Sequence, residues 1–255
     1  MIPKIIHYCW FGGNPMPEQY KKCMQSWKKY CPDYEIVEWN ESNFDIAQNQ
    51  YCSEAYAAKR WAFVSDYARL KIIYENGGIY LDTDVELVKD ITQLVTDGVG
   101  FIGFQNPIEA TTGLGFAAAP HNAVVKEMLD IYENRYFVRS DGTYNAIPCP
   151  AANTVGLIRC GLKVGKPWCT RIQDLQGIRV YPEEYFNPLD NDTQKLKLTE
   201  NTYSIHQYAA TWLGENYNIR RKVKQMFPAT ILRWRTEMIA KKHVKKIEDE
   251  ISGVI

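Results

Sequence analysis

Two pairs of charged residues in this chain have the spacing to do chemistry. Asp82 and Asp84 stand one residue apart in "GGIYLDTDVELV", Gly77 to Val88, directly after a short apolar run. In a strand, residues i and i+2 point to the same side. Both carboxylates are therefore expected to project together past the strand's carboxyl end, the edge where open α/β sheets bind ligands. Two like charges so placed repel unless something positive lies between them. A hard divalent cation does this through oxygen ligands, and it commonly shares its shell with substrate phosphates. The spacing points to a metal–phosphate site; the plain alternative is a turn in which one aspartate caps the next segment. Asp66 and Arg69 form the second pair. Three apart, they share one helical face with Ala62, Phe63, Leu70 and Ile73, while Arg60, Lys71 and Glu75 fall on the opposite side. A charged pair within an apolar arc costs free energy unless it is paired or bound. It is either an internal ion pair or a second part of the same site.

Elements must position these residues. "KIIHYCWFGG" reads as a buried strand running into a Gly-Gly turn. "MPEQYKKCMQSWKKYCPDY" reads as a helix with Pro17 at its start and Tyr20, Met24 and Trp27 at helical spacing. "YEIVEWN" alternates as a strand. This β-α-β opening predicts a three-layer α/β domain. One helix is expected over "SEAYAAKRWAFVSDYARLKIIYEN", closed by Gly77 and Gly78 as its C-cap. "GIYLD", "VGFIGFQ" and "LGFAAAP" are strand candidates, and "NAVVKEMLDIYENRYF" is expected to be helical. Asp141 to Pro188 is rich in turn residues and yields no firm assignment. "RVYPEEYFNP" and "TYSIHQYAATW" read as short extended pieces. A helix broken near Pro228 is expected to follow. Trp10 ends the first strand before Gly12-Gly13, which suits an opening or the core equally. His7 lies within that strand and reads as a core histidine. His121, after Pro120, is expected to begin a helix.

The 255 residues are 45% hydrophobic, enough for one large domain or two small ones. Net charge is zero, which predicts no nucleic-acid partner. The zero hides an asymmetry. Residues 220–255 hold ten Lys/Arg against four Asp/Glu, a net of +6, so the rest of the chain is at −6. The seven cysteines are odd in number and lack any C-x-x-C, which reads as free thiols in a reducing compartment. "MIPKIIHYCWFGG" lacks the pattern of a signal peptide, and no stretch approaches the roughly 20 apolar residues of a membrane span. The expectation is a cytoplasmic protein. Val223, Met226, Phe227, Ile231, Trp234 and Met238 mark one apolar helical face set among basic residues. Such a helix can lie on the inner face of an anionic cell membrane or pack on the body.

The block "SDYARLKIIYENGGIYLDTDVE", Ser65 to Glu86, resembles the signature of the glycosyltransferases grouped as family 32, which includes relatives of the catalytic domains of large clostridial glucosylating toxins. "IPKIIHYCWFGG", "SWKKYCPDYEIVEWNE" and the late "IHQYAATW" support the likeness over roughly residues 1–215. The resemblance implies a GT-A fold, a Rossmann-like mixed sheet flanked by helices, over residues 1–219. Residues 220–255 would then be a basic helical extension. It implies a retaining hexosyltransferase that takes a nucleotide-sugar, a UDP-sugar ahead of GDP-mannose, with Mn²⁺ or Mg²⁺. The acceptor would be a glycan or lipid-linked glycan, as in capsule, exopolysaccharide or lipopolysaccharide synthesis. By position, Trp10 matches a tryptophan that stacks on the base, and Asp66 and Arg69 match contacts to the sugar and diphosphate. Tyr80 matches a nucleotide contact, Asp82 a ribose and sugar contact that assists the metal, and Asp84 the direct metal ligand. Trp212 matches the tryptophan that holds the leaving diphosphate, Thr211 can offer its hydroxyl there, and His206 stands where a third metal ligand is expected. Asn153 and Thr154 are sugar-contact candidates that their spacing does not establish.

Two other readings compete. "IYLDTDVEL" also looks like the start of a haloacid-dehalogenase-type phosphatase, whose first aspartate is a nucleophile. That motif is normally amino-terminal, whereas here a long helical lead-in precedes it. A non-catalytic nucleotide-sugar or glycan-binding module would equally suit the 13% aromatic content.

Overall fold

The computed structural model describes residues 1–133, 135–209, 224 and 226–253. Strand β1 (Ile5–Cys9) lies between β2 (Glu35–Trp39) and β3 (Gly78–Tyr80) and runs parallel to both. Beyond β3 the sheet continues through β7 (Phe116–Ala118), β5 (Gly100–Phe104), β9 (Ile178–Tyr181) and β8 (Gln173–Leu175). β6 (Ala110–Thr111) pairs with β5 and completes eight strands. β7 is antiparallel to both neighbours, so the sheet is mixed.

Alternation along the strands divides the core in two. Ile6, Tyr8, Ile79, Leu81, Phe101, Ala117 and Tyr181 face one side, where α1 (Glu18–Tyr30) packs Trp27, with Cys31 just past its end. A two-stranded antiparallel ribbon, β4 (Val85–Leu87) with β10 (Ser204–His206), lies on the same side, and its Val85 and Leu87 join that cluster. Cys9, Tyr80, Ile102, Phe104, Phe116, Ala118, Ile178 and Val180 face the other side. There they meet α2 (Gln50–Ala57), α3 (Trp61–Asn76), α4 (Ala123–Asp130), α5 (Cys149–Arg159) and α6 (Ala229–Ile251). The three layers and the mixed sheet flanked by helices are as expected, and a C-terminal helix is present.

Several elements differ from the sequence expectation. The single helix over residues 53–76 is two helices. Lys59 sits at φ 55°, Arg60 N–H donates to Ala55 O at 2.9 Å and Lys59 N–H to Tyr56 O at 2.9 Å. This is a Schellman end to α2, built on a lysine in the left-handed region that glycine usually occupies. At the end of α3, Gly77 has φ 66° as expected of a C-cap glycine, and a side chain there would strike Pro120. α4 stops at Asp130, where Ile131 and Tyr132 turn inward and are buried. It is Asn122, not His121, that caps α4, accepting from Val124 N–H and Val125 N–H. The unassigned stretch contains α5, whose first helical turn carries Pro150, a residue tolerated there because the N–H it lacks has no intrahelical partner.

α6 begins after Pro228, and Leu232, Ala240, Val244 and Ile247 are its buried residues. The apolar face read from the sequence is a different one. Met226, Phe227, Ile231, Trp234 and Met238 are all exposed, and Val223 lies outside the described residues. Among the described residues no helix is long and apolar enough to cross a membrane.

Gly100 tests the sheet's register. A Cβ there would lie 1.9 Å from Ala117 O, and backbone cannot swing aside as a flexible side chain can. Gly100→Ala is expected to lower the free energy of unfolding by about 1–3 kcal/mol, the usual cost of overpacking, as a drop in the guanidinium midpoint.

Candidate active site

The parity of β3 decides where the acidic pair points. Residue 82 continues the face of Tyr80, the face covered by α3, so Asp82 comes to lie against Arg69. Tyr80 is buried, and its hydroxyl donates to Asp82 Oδ1 at 2.9 Å. Arg69 approaches the same carboxylate with two nitrogens, Nη2 at 3.1 Å from Oδ1 and Nη1 at 3.4 Å from Oδ2. Its Nη2 also lies 3.3 Å from Asp66 Oδ1, and its Nε donates to Ser65 O at 3.0 Å. The guanidinium stands 5.0 Å from the Tyr80 ring centroid. The Asp66–Arg69 pair is thus both an internal ion pair and part of the acidic cluster. One cation is held between two carboxylates from separate elements.

Asp84 lies beyond the strand in a turn closed by Val85 N–H donating to Asp82 O at 2.9 Å. The ribbon then sets His206 of β10 opposite Val85 of β4. His206 Nε2 comes within 3.2 Å of Asp84 Oδ1, and Ala209 N–H donates to Asp84 Oδ2 at 3.0 Å. One ligand atom each from Asp82, Asp84 and His206 lie within 4.8 Å of one another. Two carboxylates and one imidazole form a donor set that could hold a divalent metal ion. The Nδ1 of His206 is buried and has no hydrogen-bond partner among the described residues.

The electrostatics separates the three carboxylates. Burial pushes Asp66 up to about 6, against the opposing pull of Arg69. Burial also raises Asp82, again opposed by Arg69 and reinforced by the nearby charge of Asp84. Burial acts on Asp84 in the same sense, but His206 and the Ala209 N–H outweigh it and leave Asp84 below the ordinary carboxylate range.

Trp10 leaves β1 at the same edge as the acidic pair, because β1 and β3 are parallel. It is half-buried, its Nε1–H donates to Asn14 O at 2.7 Å, and its ring meets Tyr20 edge-on at 5.5 Å. Tyr20 and Asp84 both line a cleft of about 540 Å³ between α1 and the ribbon, with Lys22, Gln207 and Tyr208. Thr211 and Trp212 lie outside the described residues. His7 is a core histidine: Trp39 Nε1–H donates to its Nδ1 and its Nε2–H to Gly77 O, both at 3.0 Å, and burial lowers it to about 4. Asn153 is fully buried and accepts at Oδ1 from the Thr112 N–H and hydroxyl, while its Nδ2 has no partner among the described residues. Thr154 is spent on the backbone of Ala110.

Sequence reading missed three neighbours of the cluster. The Cys149 thiol, on the first turn of α5, lies 3.9 Å from Arg69 Nη1 and 3.6 Å from Thr111 Oγ1, and it helps to draw the Asp66 carboxyl down against its burial. Gly113 packs so close that a Cβ would come within 3.0 Å of Asp82 Oδ2. Arg135 is buried against the rings of Tyr51 and Tyr132, at 5.3 and 5.7 Å, and lowers Asp66 from behind. "TTGLG" carried a turn signal that marks Gly113. Nothing local marks Cys149 or Arg135, which reach the site only through α5 and the turn after α4.

Residues 17–100 match the family described as the glycosyltransferase sugar-binding region containing a DXD motif. Asp66, Arg69, Tyr80, Asp82 and Asp84 all fall inside that span. Over 92 residues the chain is 37% identical to inositol phosphoceramide mannosyltransferase 3 of Schizosaccharomyces pombe, covering 33% of this chain and 24% of that protein. It is 25% identical over 150 residues to inositol phosphoceramide mannosyltransferase 1 of the same yeast, covering 54% and 46%. The chain therefore spans less than half the length of these curated relatives. Among solved structures it is similar to the PaToxG glycosyltransferase, at 20% identity, TM-score 0.48, and 62% and 69% coverage.

The buried carboxyl of Asp66 is directly testable. In the metal-free protein its ¹³C resonance is expected to titrate near pH 6. Because its folded value lies above the unfolded one, Asp66 favours the fold at low pH, and this contribution is lost as pH rises through about 6. Asp66→Asn removes that titration. A midpoint near 4 would show that Arg69 outweighs burial.

Proposed function

We propose that this chain, which carries the DXD sugar-binding region of the glycosyltransferases over residues 17–100, is a metal-dependent retaining hexosyltransferase. It would move a sugar from a nucleotide-sugar, a UDP-sugar first, to a glycan or lipid-linked glycan. The observation that carries this reading is the convergence of Asp82, Asp84 and His206 at the carboxyl edge of the sheet. The cluster's alignment with Trp10 at that edge supports a nucleotide lying across it. A polysaccharide-building role, as in capsule or lipopolysaccharide synthesis, is part of the proposal. The names of the yeast relatives make GDP-mannose the second donor and a lipid-linked acceptor the first acceptor class to try.

In this reading, Asp84, Asp82 and His206 hold Mn²⁺ or Mg²⁺, and the one imidazole favours Mn²⁺. The bound ion supplies positive charge to the departing nucleoside diphosphate. Arg69 locks Asp82 in a two-point grip, so the carboxylate meets its ligand without reorganising, and its own charge lies beneath the leaving group. Tyr80 fixes Asp82 from below. Trp10 stacks on the base, and Thr211 with Trp212 is assigned the leaving diphosphate. Asp66 orients sugar hydroxyls as an acceptor. Its side chain, 9% exposed and held by Arg69, is poorly placed to attack as a nucleophile. This favours attack by the acceptor hydroxyl on the face the diphosphate leaves. The bond from acceptor oxygen to the anomeric carbon forms as the sugar–phosphate bond breaks, and the proton passes to the leaving phosphate oxygen.

A phosphatase would use Asp82 as its nucleophile. Here both of its oxygens are engaged by Arg69 and Tyr80, and the family match covers the motif as a sugar-binding region. A binding module remains separable by turnover.

The test is nucleoside diphosphate release from a donor panel of UDP-sugars and GDP-mannose, with and without Mn²⁺. Metal-dependent release from one or two donors is expected, with Asp84→Asn falling by about 100-fold or more, the scale of losing one key charge stabiliser. Release that survives chelation or the Asp84→Asn change would overturn the reading, and donor binding without release would make the chain a binding module. By calorimetry, His206→Ala should weaken Mn²⁺ binding at least about tenfold, since losing even an outer-shell partner commonly costs that much. Unchanged affinity would remove His206 from the metal site.

A further inference from the structure

We propose that α6 docks the protein on an anionic lipid bilayer, through the face opposite the one it packs on the body. Leu232, Ala240, Val244 and Ile247 face inward, and Ala240, Val244 and Ile247 join the main core. At about 100° per residue, Ile231, Trp234 and Met238 fall on the far side of the helix, and Phe227 lies just before its first turn. Their packing is not spent on the body: Trp234 is 65% exposed, Phe227 53% and Ile231 50%. A tryptophan with aliphatic neighbours on an outward helix face suits the headgroup–acyl boundary of a membrane.

Charge selects the occupant. Residues 229–246 contain six Lys/Arg and one acidic residue, Glu237. The apolar stripe runs on into Lys241 and Lys245. These two, with Lys166, line a cleft of about 540 Å³ between α6 and α5, where Ile108 and Val164 supply apolar surface and Glu237 and Glu248 offset part of the charge, so the net balance of the cleft is one positive charge. Apolar side chains that insert, flanked by lysines at headgroup depth, complement phospholipid phosphates better than a neutral protein surface. The far end of the helix carries the opposite charge. Glu250 pairs with Arg135 at 3.3 Å and lies within 3.3 Å of Asn145 Nδ2, which ties that end to the body. The helix thus has an acidic end tied to the body and, over most of its length, an outward apolar stripe among more basic than acidic side chains.

This inference does not rest on the transferase reading, and its test does not pass through donor turnover. The full chain is sedimented with phosphatidylcholine vesicles and with vesicles that also contain phosphatidylglycerol. It should pellet with the anionic vesicles only, and less so as salt rises. The exposed-site variants Ile231→Ser/Trp234→Ser and Lys241→Glu/Lys245→Glu should each lower partitioning at least about tenfold, while keeping the wild-type melting transition. Absence of pelleting, equal pelleting with neutral vesicles, or unchanged partitioning of folded variants would overturn the proposal. So would a stable dimer in light scattering that Ile231→Ser/Trp234→Ser dissolves and vesicles do not, which would assign the face to a second copy.

Discussion

The site depends on one buried positive charge. Arg69 is almost wholly removed from water, and a guanidinium there is tolerable only because Asp66 and Asp82 stand on either side of it. The same contact solves the opposite problem. Without Arg69, Asp66 and Asp82 would lie buried close together with no cation to favour their charged forms. Asp66 lies one turn along the same helix, so its position follows from α3 alone. Asp82 comes from the next strand, so the pair also records how α3 packs on β3.

The rest of the fold serves that contact. Gly77 and Gly78 let α3 reverse directly into β3, so helix and strand are joined with almost no slack. Parallel pairing of β1 with β3 brings Trp10 to the same edge. The antiparallel approach of β10 to β4 then delivers His206 to Asp84 from more than a hundred residues downstream. Gly113 leaves the room that Asp82 needs. Together these produce a graded set of carboxylates: Asp84 held charged by His206, Asp82 gripped by arginine and tyrosine, and Asp66 poised by burial nearer neutrality. A site that must grip a cation and also orient neutral hydroxyls needs such a gradient, because identical carboxylates would all do the same task.

The C-terminal helix shows how one element can face two environments. Its inner stripe is small and branched, with Ala240 and Val244 allowing close approach to α5. Its outer stripe is large and apolar beside lysines, a combination that water alone does not favour. Of the apolar face read from sequence periodicity, only Ile231, Trp234 and Met238 lie on the helix, and they are on the side the body does not take. The smaller stripe packs because shape complementarity rewards close contact more than bulk does.

Local order in the chain was enough for the acidic pair, the helical pairing of Asp66 with Arg69, the Gly-Gly stop and the alternation that makes a three-layer α/β domain. Each depends on periods of two or about 3.6 residues and on glycine's access to positive φ, all of which are written in neighbouring residues. The break between α2 and α3 escaped that reading because lysine, not glycine, takes the left-handed position, and only the contacts of both helices hold it there. The early end of α4 escaped because burial of Ile131 and Tyr132 overrides a good helical pattern. The family resemblance, not any local pattern, pointed to His206 beside Asp84, and the tertiary structure alone decided that Cys149 and Arg135 stand behind Asp66 and which face of α6 is left outward. Those relations join residues far apart in the chain, and they are fixed by packing free energy shared over many elements, which no short window of sequence contains.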